Sequence, residues 1–162
     1  MAGAPSVGPG QISAYGALDQ IIKHLGNRKL FPALKEIVVA GHSGGGQVVQ
    51  RFALTGHDHP TLQTEGISLR YVVANPSSYA YFTAQRPVKF DTASCPGFND
   101  WKYGMQNLPA YAKGQGAEQL EQAYVSRDIT YLLGQQDTDP NHPALDKSCA
   151  AETQGAYRPV SY

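Results

Sequence analysis

The sequence predicts an α/β fold built on a parallel sheet. Three observations carry the prediction. Apolar runs at 36–40, 69–74 and 129–133 have the length of strands, and each is followed by Gly, Asn or Pro. Amphipathic stretches with helical spacing precede or separate them. The segments between successive runs are too long for hairpin turns, so a strand, helix, strand order implies parallel neighbours.

Taken in order, residues 1–10 hold three Gly and two Pro and read as a flexible lead-in to a single domain over 11–162. Tyr15, Leu18, Ile21, Ile22 and Leu25 recur at helical spacing, with Ser13 or Ser6 as the cap and Gly26-Asn27 as the stop. Glu36 to Ala40 is the first strand. Gly46 to Leu54 is a helix whose Val48, Val49, Phe52 and Ala53 share the face that packs on the sheet. Leu69 to Ala74 is the second strand, halted by Asn75-Pro76. Residues 75–111 carry eight of the sixteen aromatics, and Pro76, Pro87, Pro96 and Pro109 interrupt any period. Within 75–125 this stretch reads as a lid-like insertion after a strand end, or else as a piece of irregular core. Ala117 to Tyr124 is a short helix, Ile129 to Leu133 the third strand, and 141–162 polar and turn-rich.

Composition bounds the function. The chain has 162 residues, 41% hydrophobic and 16% charged, with a formal net charge of zero. That is globular, and bulk electrostatics argue against nucleic acid or an anionic membrane as partner. No apolar run approaches the roughly 20 residues of a spanning helix. Met1 to Pro5 lacks the basic and apolar regions of a signal peptide. The spacing of Cys95 and Cys149 leaves open a disulfide or two free thiols; a bridge would favour an extracytoplasmic location.

The chemistry centres on Gly41-His42-Ser43-Gly44-Gly45. A serine in G-x-S-x-G between a strand and a helix is the nucleophile-elbow pattern, with flanking glycines expected where backbone passes close by. Ser43 then sits at the positive end of the following helix, placed to attack a carbonyl, with the Gly44 amide as an oxyanion donor. The glycine run lacks the Lys-Ser or Lys-Thr of a nucleotide-binding loop, and nothing calls for a cofactor or metal.

The elbow, the three strands and Tyr131-Leu132-Leu133-Gly134-Gln135-Gln136-Asp137 resemble the α/β-hydrolase superfamily over roughly Ile12 to Asp139. The resemblance implies a partial α/β-hydrolase fold and a triad in the order Ser, acid, His. Ser43 matches the nucleophile and Asp137 the acid on its G-x-x-D turn, with Asp139 as the alternative acid. The stretch from Asp137 through Cys149 to Gly155 resembles a poorly characterised bacterial and fungal subgroup, in which a partner for Cys95 is expected. The family strands before the elbow, which bring the second oxyanion amide, have no counterpart here, nor has the final strand before the histidine. On this resemblance the chain corresponds to the middle of a hydrolase, truncated at both ends.

The base is the open position. His142 follows Asp137 in the family order and is the candidate. His42 should point away from Ser43 toward the wall of the site, where it, Asn75 and Tyr79 are expected to contribute to binding. Asn75 stands at a strand end, as a turn residue or a support to the site. His24 reads as a solvated residue at a helix end. His57 and His59 flank Asp58 in a loop that reads as solvated rather than metal-binding, roughly 15 Å along the helix from Ser43. Two functions follow. One is a serine esterase acting on a small-molecule ester, inactive here if its histidine is missing. The other is a non-catalytic truncated or pseudoenzyme product, or an interaction protein. A sheet of three strands with helices on both faces also leaves an edge through which copies could associate.

Overall fold

The computed structural model describes residues 12–57 and 59–155. Helix α1 spans Ala14–Leu25, strand β1 Glu36–His42, helix α2 Gly44–Thr55, helix α3 Pro60–Thr64, strand β2 Ser68–Ala74, helix α4 Ala117–Val125, strand β3 Asp128–Leu132 and helix α5 Cys149–Glu152. The strands form a parallel sheet in the order β1-β2-β3. This is the expected α/β arrangement, and each predicted strand and helix is present within a few residues of its expected ends. Two short helices were not anticipated. α3 and α5 have five and four residues, too few to establish a helical period.

Local chemistry sets the boundaries. Ser13 caps α1 by accepting the Gly16 N–H at 3.0 Å, and the Gly26 N–H closes the other end on Ile22 O at 3.0 Å. Ser148 caps α5 in the same way through the Ala151 N–H.

The core lies on one face of the sheet. Ile37, Val39, Leu69, Tyr71, Val73, Ile129 and Tyr131 point to that face, and Tyr15 and Ile22 of α1 and Val49, Phe52 and Ala53 of α2 pack on them. Phe52 is fully buried, worth on the order of 2–3 kcal/mol in apolar transfer. The expectation of helices on both faces is not met among the described residues. The opposite face carries Glu36, Val38, Ala40 and His42 of β1, all exposed, and Leu132 of β3; Val38 and Leu132 remain 48% and 52% accessible. The alternation along each strand leaves apolar side chains on both faces, but α1 and α2 both pack on the same one.

The insertion between β2 and α4 is organised from beneath by polar side chains of α2. Gln47, Gln50 and Arg51 lie at i, i+3 and i+4 and share one buried stripe. The Gln50 amide accepts from Ala80 N at 3.1 Å and donates to Ala80 O at 3.2 Å. Arg51 is 1% exposed and donates to the backbone carbonyls of Lys102 (2.8 Å), Gln47 (3.2 Å) and Ser78 (3.3 Å) and to Ser78 Oγ (3.1 Å). Burial lowers its pKa to about 10, with Tyr15, Tyr103 and Asp146 acting in the opposite sense, so the guanidinium stays charged at neutral pH.

The carboxyl-terminal segment closes the insertion. Cys95 and Cys149 form a disulfide with Cα atoms 5.9 Å apart and a sequence separation of 54, worth about 4 kcal/mol in the chain-entropy account. The fully buried Gln154 accepts from Tyr79 N at 2.8 Å and donates to Tyr79 O at 2.7 Å. Asp146 accepts from Tyr103 Oη at 2.6 Å, Lys102 Nζ at 3.1 Å and Ser148 N at 3.0 Å.

Candidate active site

The strand register brings the candidate residues to one end of the sheet. His42 pairs with Ala74, and Ala74 with Leu132. Ser43, Asn75 and the segment after Leu132 therefore leave the sheet side by side. β1 and β3 stand two strand spacings apart, about 10 Å, with the end of β2 between them.

Ser43 is the sharp point of the turn. Its backbone has φ 55° and ψ −118°, a region that favours glycine. Two hydrogen bonds hold it there: Ser43 N donates to Ala74 O at 2.9 Å, and Ser43 O accepts from Gln47 N at 3.0 Å. Its hydroxyl does not cap α2, unlike those of Ser13 and Ser148 on their helices. The residue is half-buried, at the amino end of a twelve-residue helix whose first N–H groups have no intrahelical acceptor.

The crowding that demands glycine falls on a different pair than the motif suggests. A Cβ at Gly41 would lie 2.3 Å from Gly45 O, and one at Gly46 would lie 2.6 Å from Ala74 O. At Gly44 and Gly45 a Cβ would meet nothing within 4 Å. The expectation of a tight approach thus holds at Gly41 and fails at Gly45, because α2 leaves the turn with the Gly46 side, not the Gly45 side, against β2.

The Asp137 turn is tied to the strand ends. Asp137 N donates to Gly134 O at 3.1 Å, closing the G-x-x-D turn, and the residue is half-buried. Asp139 behaves differently: its Oδ1 accepts the Asn141 N–H at 2.9 Å, an Asx turn in an exposed loop. Asn75 sits between the acid turn and the elbow. Its N–H donates to Leu132 O at 2.9 Å, its Oδ1 accepts the Gly134 N–H at 2.7 Å, and its Nδ2 lies 3.4 Å from His42 Nε2. Sequence reasoning named Asn75 as a turn residue or a support to the site and as a binding candidate, but Asn-Pro signals only a turn and says nothing about a bridge across three strand ends.

The histidines are dispersed. His42 is exposed on the uncovered face, with Asn75 as its neighbour. His142 is exposed, and its Nδ1 accepts the Ala144 N–H at 3.2 Å within its own turn. His24 is exposed with its ring against Phe31. His57 Nδ1 lies 2.8 Å from Asp19 Oδ2, and His59 Nε2 lies 3.2 Å from Asp19 Oδ1. His59 is only 12% exposed in its side chain, so the expected solvated loop is half wrong: α1 places Asp19 against it, and Tyr111 of the insertion bonds Asp19 and packs on His57. Burial would raise the Asp19 pKa, but hydrogen bonds from His59, Tyr111 and His57 outweigh it and hold the carboxyl below its usual range. This group lies beyond the carboxyl end of α2, away from Ser43, and Asp58 falls outside the described residues. No group of three metal-binding side chains with suitable geometry occurs among the described residues.

The aromatics divide between two roles. Trp101 and Tyr111 pack against the main core. Tyr79, Tyr81 and Phe82 line a cavity of about 310 Å³ with Gln50, Tyr124 and Tyr131. Tyr79 is itself buried, at 3% exposure, with its backbone held by Gln154. No described helix is long and apolar enough to cross a membrane.

No family model matches the chain, and no curated protein matches it. Among solved structures it is similar to poly(aspartic acid) hydrolase-1 from Sphingomonas sp. KT-1, with a TM-score of 0.59 and 26% identity over 95% of this chain. The structural neighbour is a hydrolase. The chain spans about half of that protein's length, 48%.

Proposed function

We propose that the protein is a serine hydrolase that transfers an acyl group through Ser43. The observation that carries the reading is the Ser43 turn itself. A non-glycine residue is held at positive φ between a strand and a helix, and its hydroxyl is left out of helix capping. Strain of about 1–3 kcal/mol at one residue persists where the surroundings over-determine it, which is common at reactive positions. The likeness to a hydrolase over nearly the whole chain supports the same reading.

In this proposal Ser43 Oγ attacks the carbonyl carbon as its proton passes to a base; the base returns that proton to the alcohol as the ester bond breaks, and water, deprotonated by the same base, then releases the acid and restores Ser43. The Gly44 N–H, at the start of α2, stabilises the oxyanion; one such donor contributes on the order of 3 kcal/mol in working enzymes. Asp137 orients the base and balances its charge once protonated. His142 is the candidate base within this chain. To serve, it must release the Ala144 N–H from Nδ1, because an acid-oriented base carries its proton on Nδ1 and attacks with Nε2 free. The proposed substrate is an uncharged ester. A chain with no net charge offers a polyanion no bulk attraction, which favours an uncharged ester.

A fluorophosphonate probe tests the nucleophile. Ser43 should be labelled, and the Ser43→Ala variant should not. A folded wild-type chain that takes no label would sink the reading in favour of a non-catalytic fragment. Hydrolysis of p-nitrophenyl esters, with poly(aspartic acid) as the comparison substrate, tests the ester assignment. Unchanged turnover in His142→Ala would remove His142 from the mechanism.

A further inference from the structure

We propose that Asn75 is the positioning residue of the site: one side-chain amide anchors the acid turn to the elbow and fixes the tautomer of His42. The inference deepens the hydrolase reading above and rests on it for the catalytic consequence.

The amide orientation follows from its partners. The Gly134 N–H can only donate, so the Asn75 atom 2.7 Å away is the carbonyl oxygen Oδ1. The other end of the amide is then the NH₂ group, and it faces His42 Nε2 at 3.4 Å. An NH₂ group can only donate, so in the proposed clasp His42 receives that contact on an unprotonated Nε2 and carries its proton on Nδ1. In this clasp the Nε2 lone pair of His42 faces Asn75, which leaves it unavailable as a base for Ser43.

The backbone suits asparagine to this bridge. Asn75 has φ 40°, a conformation in which asparagine is tolerated better than most residues. Its own N–H donates to Leu132 O, so the residue is fixed at both ends of its reach. Gly134 is the first residue of the turn that Asp137 N closes, and holding the Gly134 amide sets where the Asp137 carboxyl stands relative to Ser43. Displacement of an acid by about 1 Å can cost up to about 100-fold in rate.

Two variants separate the roles. Asn75→Gly relieves the positive φ and removes both contacts. Asn75→Asp keeps an acceptor for Gly134 and turns an acceptor, in place of a donor, toward His42. At about pH 9, where an ordinary imidazole is neutral, nitrogen-15 NMR should show the Nδ1–H tautomer of His42 in the wild type and the Nε2–H tautomer in Asn75→Asp. The Gly134 amide should exchange about tenfold faster in Asn75→Gly. Fluorophosphonate labelling of Ser43 should slow by about tenfold or more in Asn75→Gly and recover to within about threefold of wild type in Asn75→Asp. An unchanged His42 tautomer in Asn75→Asp overturns the clasp. Labelling that is equal in wild type and Asn75→Gly, or no faster in Asn75→Asp than in Asn75→Gly, overturns the positioning role. If wild-type Ser43 takes no label, the hydrolase reading falls and the positioning role with it, while the tautomer and exchange measurements still decide the clasp.

Discussion

Replacing Gly46 with alanine should destabilise the protein, whereas the same change at Gly45 should not. The new Cβ at 46 would stand 2.6 Å from Ala74 O and 3.3 Å from Gly41 O, both backbone atoms that cannot rotate away. To restore an ordinary carbon–oxygen separation, the start of α2 and the end of β2 must part by roughly 0.7 Å. That movement lengthens the Ser43 N to Ala74 O hydrogen bond, now 2.9 Å, which holds the elbow on β2. Overpacking of this kind costs about 1–3 kcal/mol, or more when backbone must move. At Gly45 the Cβ enters open space, and alanine gains up to about 1 kcal/mol of helix propensity. The two variants should therefore differ by about 2–3 kcal/mol, or roughly 5–10 °C in melting temperature for a domain of this size. Urea titration followed by Trp101 fluorescence, with the disulfide intact, measures the difference. Equal midpoints, or a Gly45→Ala variant less stable than Gly46→Ala, would refute the steric account of the turn.

Further predictions come from the same structure. Ser43→Gly should raise stability by about 1 kcal/mol because φ 55° costs glycine little, while Ser43→Ala should not; equal melting of the two would mean the turn is unstrained. Asp146 combines burial, which raises its pKa, with hydrogen bonds from Tyr103, Ser148 and Lys102, which outweigh it and hold the carboxyl well below its usual range. A depressed folded-state pKa means its stabilisation is complete above the ordinary carboxylate pKa of about 4 and is lost as pH falls below that. Asp19 acts in the same direction. Asp146→Asn should therefore cost about 2–3 kcal/mol near neutral pH and far less near pH 2; an equal cost at both, read from urea midpoints, would show that charge plays no part. Finally, no described strand pairs with the outer edge of β1, and Val38 lies exposed beside it. Self-association through this region should weaken in Val38→Lys, and a wild-type sedimentation coefficient independent of concentration would count against it.

Much of the fold was readable in the sequence because it rests on local rules. The three strands and the helices α1, α2 and α4 were set by apolar period, by Ser13 as a cap and by Gly and Pro as stops. The elbow was readable for the same reason, since a glycine-rich turn between a strand and a helix has few conformations open to it. What local rules could not supply was direction. The chain carries apolar residues on both faces of the sheet, and only the packing of α1 and α2 decides that one face is buried and the other left bare. The buried polar positions gave no local signal for a related reason. Gln50, Arg51 and Gln154 are buried with backbone partners brought from up to 75 positions away, and Gln47 is buried against the hydroxyls of Ser77 and Ser78.

The site divides along the same line. The sequence by itself determined the strand–helix turn at Ser43 and the G-x-x-D turn at Asp137, because each lies in a short contiguous motif with its own geometry. The tertiary structure alone decided that Gly46 and not Gly45 bears the close approach, that Cys95 meets Cys149, and that Asn75 joins His42 to Gly134. Those contacts link separate segments, and the separation between strand ends in a parallel sheet is fixed by hydrogen bonding across the sheet, which no local pattern encodes.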